Sequence, residues 1–290
     1  MEIVYHVGAH GTDQERVLRT LLRNREALWG KGIEIPAPNR YRGVFGEAIN
    51  ALKGGVATDE IQEMLLDAVM DSDKAGRVIL SQTGFLGLPK RALSPEGLYA
   101  KGHQRILGLS NLFPEAVVEF FLGVVHPARQ IAEVVRMSGG NYHDVAGGLD
   151  PRQMRWAPMI QMVLQTVPDR EIVVWAQEDL PFIWPELLRR LAGVAQDTPL
   201  HGDDAILADL LPEAELNGLQ QRIAETPGLT VGQRRDMVEA ALALHGRTEA
   251  MEADIALPGW SQSLVDELSQ IYADDLAQIA ALPGVEFISA

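Results

Sequence analysis

The sequence contains no cysteine among its 290 residues. Disulfides, thiolate metal sites and cysteine nucleophiles are therefore excluded, and the absence fits a reducing compartment. No stretch reaches the roughly 18 apolar residues that a membrane span requires. The first residues also lack the basic segment and the apolar run of a signal peptide. We therefore expect a cytoplasmic protein that has no membrane partner.

Basic residues are also in a minority. The chain has 25 lysines and arginines against 40 acidic residues, which gives a formal net charge of −15. Such a charge repels nucleic acid, so we expect no nucleic-acid partner. Acids concentrate after Asp197, whereas Arg16–Arg42 is locally basic. The sequence still allows a small anionic ligand to bind near this basic segment.

The remaining composition is that of a globular protein, with 47% hydrophobic residues. Short apolar runs predict strands, and amphipathic patterns between them predict helices. The predicted strands are Glu2–Gly8, Gly32–Pro36, Arg77–Ser81, Ala116–Val125, Ile172–Trp175 and Val285–Ile288. The predicted helices are one that starts at Thr12 or Asp13 and continues through Leu28, then Val44–Lys53, Thr58–Met70, Leu98–Phe113, Ala128–Met137 and Trp184–Leu191.

This alternation predicts a parallel sheet with helices on both faces. After about residue 197 the pattern becomes mainly helical. We therefore predict an α/β core over residues 1–196 and a helical C-terminal region over residues 197–290 that packs on the core. The acidic C-terminal region could be a dimer surface or a cap over the sheet edge. The sequence therefore leaves the choice between a monomer and a homo-oligomer undecided.

Ligands of parallel sheets bind beyond the carboxyl ends of the strands. At the first such end, the segment His6–Thr12 resembles the 5′-phosphosulfate loop of the bacterial sulfotransferase family, a branch of the P-loop nucleotide-binding fold. Phe120–Pro127 resembles the strand that leads to the family's 3′-phosphate motif, and Val173–Leu180 resembles a later strand and turn. The resemblance covers most of residues 1–195 in order. It implies a P-loop, sulfotransferase-like three-layer fold with a central parallel sheet and a helical C-terminal extension.

The resemblance also implies a cofactor and a reaction. The family transfers a sulfuryl group from phosphoadenosine phosphosulfate (PAPS) to a hydroxyl or an amine. Loop amides and a helix N-terminus bind the phosphates, and a lysine stabilises the leaving group. The residues expected to hold an anionic cofactor here are Gly8, Ala9, His10, Gly11, Thr12, Arg16 and Arg129.

Most of the family's functional positions are replaced. Among them Thr12 is kept, whereas the loop lysine falls on Gly11, the arginine of the 3′-phosphate motif on Val125 and its serine partner near Glu133. A glutamate often found after the third strand falls on Thr83, and a loop glycine falls on Asp13. Each charge-assisted hydrogen bond lost in this way is worth about 1.5–3 kcal/mol. The sequence therefore predicts a degenerate PAPS site and names no catalytic residue.

Two functions follow. The first is a non-catalytic relative that kept the fold as a binding module. The second is a divergent transferase that moves a sulfuryl or related anionic group from a nucleotide donor at Gly8–Glu15.

Other chemistry receives less support from the sequence. His6, His10, Asp13 and His126 suggest a divalent metal, but no H-x-x-x-H helix is present, so we predict no metal site. Ser81 is interpreted as a strand-end hydroxyl that bonds the backbone. Glu178 or Asp179 could act as a base, yet a helix cap at Asp179 followed by Pro181 is favoured.

Overall fold

The structure is a computed structural model that describes residues 1–12, 15–72, 74–251, 255 and 257–290. The strands are β1 (Glu2–Gly8), β2 (Ile33–Glu34), β3 (Arg77–Ser81), β4 (Leu93–Ser94), β5 (Gly97–Leu98), β6 (Val117–Val124), β7 (Glu171–Ala176) and β8 (Val285–Ile288). All six predicted strands are therefore confirmed within one or two residues. The β4–β5 hairpin was not predicted, because two-residue strands carry no periodic signal.

The helices alternate with these strands. They are α1 (Arg16–Arg23), α2 (Arg25–Trp29), α3 (Pro38–Leu52), α4 (Asp59–Val69), α5 (Gly102–Ser110), α6 (Pro127–Ser138), α7 (Tyr142–Ala146), α8 (Ala157–Thr166), α9 (Leu180–Ala192), α10 (Leu207–Leu210), α11 (Glu213–Ala224), α12 (Val231–His245), α13 (Thr248–Met251) and α14 (Gln262–Ala280).

The described residues form one six-stranded sheet in the order β2-β3-β1-β6-β7-β8. Every neighbouring pair is parallel. After β1 the chain crosses to β2 at one edge of the sheet and returns to β3, which lies between β2 and β1. It then crosses to the other side of β1, where β6, β7 and β8 follow one another outward. The order therefore reverses between β1 and β6, where a crevice for ligands opens in such sheets. The predicted α/β class and parallel sheet are confirmed.

Helices cover both faces of the sheet, because side chains alternate along each strand. In β1, Tyr5 and Val7 enter the larger core with α3, α4, α5 and α8, whereas Val4 enters a second core with α1 and α9. Three of the tryptophans anchor these cores, since Trp156, Trp175 and Trp184 are fully buried. The result is three layers.

The C-terminal region contributes to the sheet as well as covering it. β8 extends the sheet beyond β7, and α14 packs against α6 and α8. Helices α10, α11 and α12 form a third apolar cluster that contacts α9 through Phe182. This cluster lies beyond the carboxyl edge of the sheet and closes one side of the cavity described below.

One predicted helix is broken. The pattern from Val17 to Leu28 predicted a continuous helix, but the structure divides it at Asn24 into α1 and α2. The buried Asn24 side chain accepts a hydrogen bond from the His201 N–H at 2.7 Å and donates one to the His201 carbonyl at 2.9 Å. This contact spans 177 residues, so no local pattern announces it.

An ion-pair network ties the strands together near their amino ends. Arg190, from α9, pairs with carboxylates of β6, β7 and β8, namely Glu119 at 3.0 Å, Glu171 at 2.7 Å and Glu286 at 2.8 Å. Arg77 of β3 pairs with Glu119 from the other side. Glu119 and Glu171 are direct neighbours across the sheet. Without Arg190 these like charges would repel each other.

Among the described residues, no helix is long and apolar enough to cross a membrane.

Candidate functional site

The loop predicted to bind an anion lies at the point where the strand order reverses. β1 ends at Gly8, which pairs with Leu122 of β6 after a register shift. The loop runs through Thr12, and α1 begins at Arg16. The predicted cap at Asp13 lies outside the described residues. Thr12 does not cap the helix, because its hydroxyl donates to the Ala9 carbonyl at 2.8 Å.

Three amides of this loop are bonded within the protein. The Ala9 N–H donates to the Gly123 carbonyl at 3.0 Å, and the Thr12 N–H donates to the Ala9 carbonyl at 3.5 Å. The His10 N–H donates to the Tyr99 hydroxyl at 3.0 Å. A phosphate-binding loop needs such N–H groups directed at its ligand. In this loop three of them serve the fold instead.

His10 and Tyr99 form a buried pair that we call the His10–Tyr99 latch. Their rings stack with centroids 5.8 Å apart, and His10 Nδ1 lies 2.8 Å from the Tyr99 hydroxyl oxygen. That oxygen accepts hydrogen bonds from the His10 N–H and from Gln130 Nε2 at 3.3 Å. Since both lone pairs are used, the Tyr99 proton goes to His10 Nδ1. The ring proton of His10 is therefore on Nε2.

The latch keeps His10 uncharged. Burial lowers the pKa of His10 to about 4, against which a hydrogen bond to the Gly87 backbone acts weakly. Burial also raises the pKa of Tyr99 well above its ordinary value. His10 is 2% exposed. It therefore cannot replace the missing lysine as a cation facing a phosphate.

Glu133 and Thr83 lie close to two glycines of the loop, Gly11 and Gly8. Gly11 has φ +78°, and a Cβ built on it would lie 2.7 Å from the Cβ of Glu133. Gly8 has φ +109°, and a Cβ there would lie 3.3 Å from Thr83. A lysine at position 11 would thus require Glu133 to move. The carboxylate of Glu133 bonds Arg136 at 2.7 Å, on the same helix.

A cavity of about 590 Å³ opens beside the loop, at the carboxyl ends of β1, β6 and β7. Of the seven residues predicted to bind an anionic cofactor, Thr12, Arg16 and Arg129 line it. Gly8, Ala9, His10 and Gly11 are not among its lining residues, and the first three are buried in the fold. The opposite wall comes from α9, α10, α12 and α13.

The two arginines of the cavity differ in their partners. Arg16 forms an ion pair with Asp209 of α10, which connects the core to the helical wall. Arg129, the third residue of α6, is half-buried and has no ion-pair partner among the residues that the structure describes. Gln177 also lines the cavity, and its buried Oε1 has no hydrogen-bond partner there. The sequence did not single out Gln177.

The candidate bases have structural roles. Glu178 accepts hydrogen bonds from the His126 N–H at 3.0 Å and from the Tyr272 hydroxyl at 2.9 Å. Asp179 occupies the N-cap position of α9 as predicted, but its side chain makes no cap bond and instead accepts from the Ala290 N–H at 3.4 Å. Burial raises the pKa of the Asp179 carboxyl. Glu178 lines the cavity with two of its acceptor positions taken by these donors, whereas Asp179 is not among the lining residues.

Ser81 and the histidines near the strand ends bond to one another or to other side chains of the fold. The Ser81 hydroxyl bonds His6 Nδ1 at 2.7 Å rather than the backbone, so that interpretation was wrong. His126 bonds the Ser269 hydroxyl at 3.1 Å, and its Nδ1 caps α6. Within the described part of the chain, no group of three or more His, Cys, Asp or Glu side chains is placed to hold a metal ion. Asp13, the carboxylate of that hypothesis, lies outside the described residues.

Comparisons of the chain with family models, with curated proteins and with solved structures found no match. The fold and the site define an α/β protein with a parallel sheet and a cavity at the carboxyl edge of that sheet.

Proposed function

We propose that this chain is a sulfotransferase-like binding protein rather than a PAPS-dependent sulfotransferase. In this proposal the ligand is a small anion held in the cavity beside Arg129, and the Gly8–Thr12 loop is a structural element. The observation that supports it best is the internal bonding of the Ala9 and His10 amides, to Gly123 and Tyr99.

Several energetic costs oppose phosphate binding by the loop. Turning the loop toward a phosphate would break two buried hydrogen bonds, each worth about 0.5–1.5 kcal/mol net, and would leave Gly123 and Tyr99 without these donors. The loop has no lysine to offset this, and Glu133 occupies the space beside Gly11. The attraction of a helix N-terminus for an anion, about 0.3–1 kcal/mol, is too small to compensate.

A divergent transferase is the second candidate, and one observation favours it. Thr12, Arg16 and Arg129 line one cavity, so a nucleotide donor would meet two cations there. Arg16 is paired with Asp209, however, and this ion pair would have to open before Arg16 could bind a phosphate. The binding module requires no such rearrangement.

Thermal unfolding with PAPS, its desulfated product and ATP separates the two candidates. A ligand at 100 times its dissociation constant adds about 2.7 kcal/mol, which raises Tm by about 4 °C in a chain of this size. We expect none of the three to raise Tm. A rise with PAPS that is lost in Arg16→Met would instead support the transferase.

Binding in the cavity can be tested with anilinonaphthalene sulfonate, a singly charged aromatic anion that fluoresces when bound. We expect saturable binding that weakens in Arg129→Met and is unchanged in Arg42→Met. Arg42 is an exposed arginine of α3 that does not line the cavity. Equal binding by both variants would show that the dye reports another surface, and the proposed site would be wrong.

A further inference from the structure

The cavity has a polar end and an apolar wall. Arg129 and Gln177 lie at the carboxyl ends of β6 and β7, whereas the wall beyond them is apolar. The apolar side chains of this wall are Leu180, Phe182, Ile206, Leu210, Leu242 and Met251. Building on the proposed function, we infer that the ligand is an amphipathic molecule with one singly charged anionic head group, bound by Arg129 and Gln177, and an apolar body that lies against α9, α10 and α12.

The head-group end provides donors that the fold does not use. Arg129 carries five N–H donors in a planar fork that matches a carboxylate or a sulfate ester. It makes no ion pair with any described residue, unlike Arg16, which is paired with Asp209. Gln177 lines the same cavity, and its side-chain amide carries two N–H donors. Together they form a two-residue anion clamp at one end of the cavity.

The charges that line the cavity favour a head group with a single negative charge. Among the described lining residues, Arg129 is the one cation without an ion pair. Glu239 lies on the rim of the same cavity, and Glu178 and Asp209 contribute two further carboxylates. A doubly charged phosphate would face these acids with one arginine to balance it. A monoanion is neutralised by Arg129 alone.

The apolar wall determines the rest of the molecule. A volume of about 590 Å³ lies within the range of small-molecule sites, which is roughly 300–1,000 Å³. The wall is formed by side chains from four helices, so a flexible chain or a ring system can be covered on several sides. Each methylene group buried there contributes about 0.8 kcal/mol, or roughly a fourfold gain in affinity.

Titration calorimetry with a matched series tests the inference. Hexanoate, octanoate and decanoate vary the body at constant charge, whereas octyl sulfate, octyl phosphate and octanol vary the head at constant length. We expect octanoate or octyl sulfate to bind, roughly fourfold tighter binding for each added methylene, and weaker binding of octanol and octyl phosphate. The comparison of octanoate with octyl sulfate decides which monoanion the clamp prefers.

Variants locate the clamp. Arg129→Met should weaken octanoate or octyl sulfate binding about tenfold to a hundredfold, because charge-assisted hydrogen bonds are lost, while octanol binding should not change. Arg129→Lys should recover part of the affinity, and Arg42→Met should behave as wild type. Circular dichroism and Tm of each variant establish that it is folded.

Two results would overturn the inference. One is tighter binding of octyl phosphate or octanol than of both monoanions. The other is the absence of binding by the whole series while anilinonaphthalene sulfonate still binds in an Arg129-dependent manner. In the second case the proposed binding function would stand and only the ligand class would be wrong. Stabilisation by PAPS would count against the proposed function itself.

Discussion

The His10–Tyr99 latch predicts how the stability of the protein depends on pH. The pKa of His10 is about 4 in the folded protein, against an ordinary value of 6.5. Between these two values the unfolded chain binds a proton that the folded chain does not. The free energy of unfolding contributed by His10 is therefore complete above pH 6.5 and is lost as the pH falls toward 4.

The magnitude follows from the gap between the two pKa values. At about 1.4 kcal/mol per pH unit, it corresponds to about 3 kcal/mol. The physical cause is burial, which disfavours the charged ring. A protonated ring would also present a second N–H to the Tyr99 hydroxyl. The lone pairs of that hydroxyl already accept the His10 amide and Gln130. Protonation would thus open the latch that holds the loop.

Other titratable groups also change the free energy of unfolding with pH. The prediction therefore concerns the difference in this free energy between the wild type and a variant without His10. Burial raises the pKa of the Asp275 and Glu171 carboxyls. The folded chain binds protons more readily at these two sites, and their contributions to stability increase as the pH falls. They partly mask the contribution of His10 in the wild type. A variant that lacks only His10 keeps the contributions of the two carboxyls and loses the pH-dependent contribution of the histidine.

The assay is urea unfolding followed by tryptophan fluorescence, from about pH 7 to about pH 4. We expect His10→Gln to be less stable than wild type at neutral pH, and the difference to shrink by about 3 kcal/mol toward pH 4. His143→Gln, at an exposed histidine, should follow the wild-type curve throughout. A constant difference between His10→Gln and wild type at every pH would refute the reasoning, since His10 would then not titrate with folding.

Two further predictions concern packing and charge. Arg190→Met should lower the free energy of unfolding by about 1–3 kcal/mol, because Glu119 keeps Arg77 as a partner while Glu171 and Glu286 lose Arg190. Arg152→Met, at an exposed ion pair, should cause no measurable loss in urea unfolding. Equal losses would mean that the network has no special role. Gly11→Ala should destabilise the loop by about 1–3 kcal/mol, and part of this cost should disappear in the double variant with Glu133→Gly, which removes the Cβ that the new methyl group would meet. Additive losses would show that the two residues do not clash.

Much of the fold could be predicted from the sequence. The six strands of the sheet were found from short runs rich in apolar residues, because strands covered by helices on both faces are mostly apolar along their length. The parallel arrangement followed from the alternation of strands with helices. The positions of Thr12, Arg16 and Arg129 near one strand edge also followed, since the carboxyl ends of parallel strands share that edge.

The state of the loop could not be predicted in this way. Whether its amides bind a ligand or the fold depends on Tyr99, which is 89 residues from His10 in the chain. The break at Asn24 depends in the same way on His201. No periodicity connects residues so far apart, because hydrogen bonds of this kind form only after the elements have packed.

The sequence by itself determined the six strands of the sheet, their order along the chain and the absence of a lysine from the loop after β1. Tertiary structure alone decided which partners the residues of the loop and the cavity have. Packing placed Glu133 against Gly11, closed the latch around His10 and paired Arg16 with Asp209. It gave Arg129 no ion-pair partner among the described residues, in a cavity with an apolar wall. Partners of charged and polar groups are set by distance in space, and a sequence records only distance along the chain.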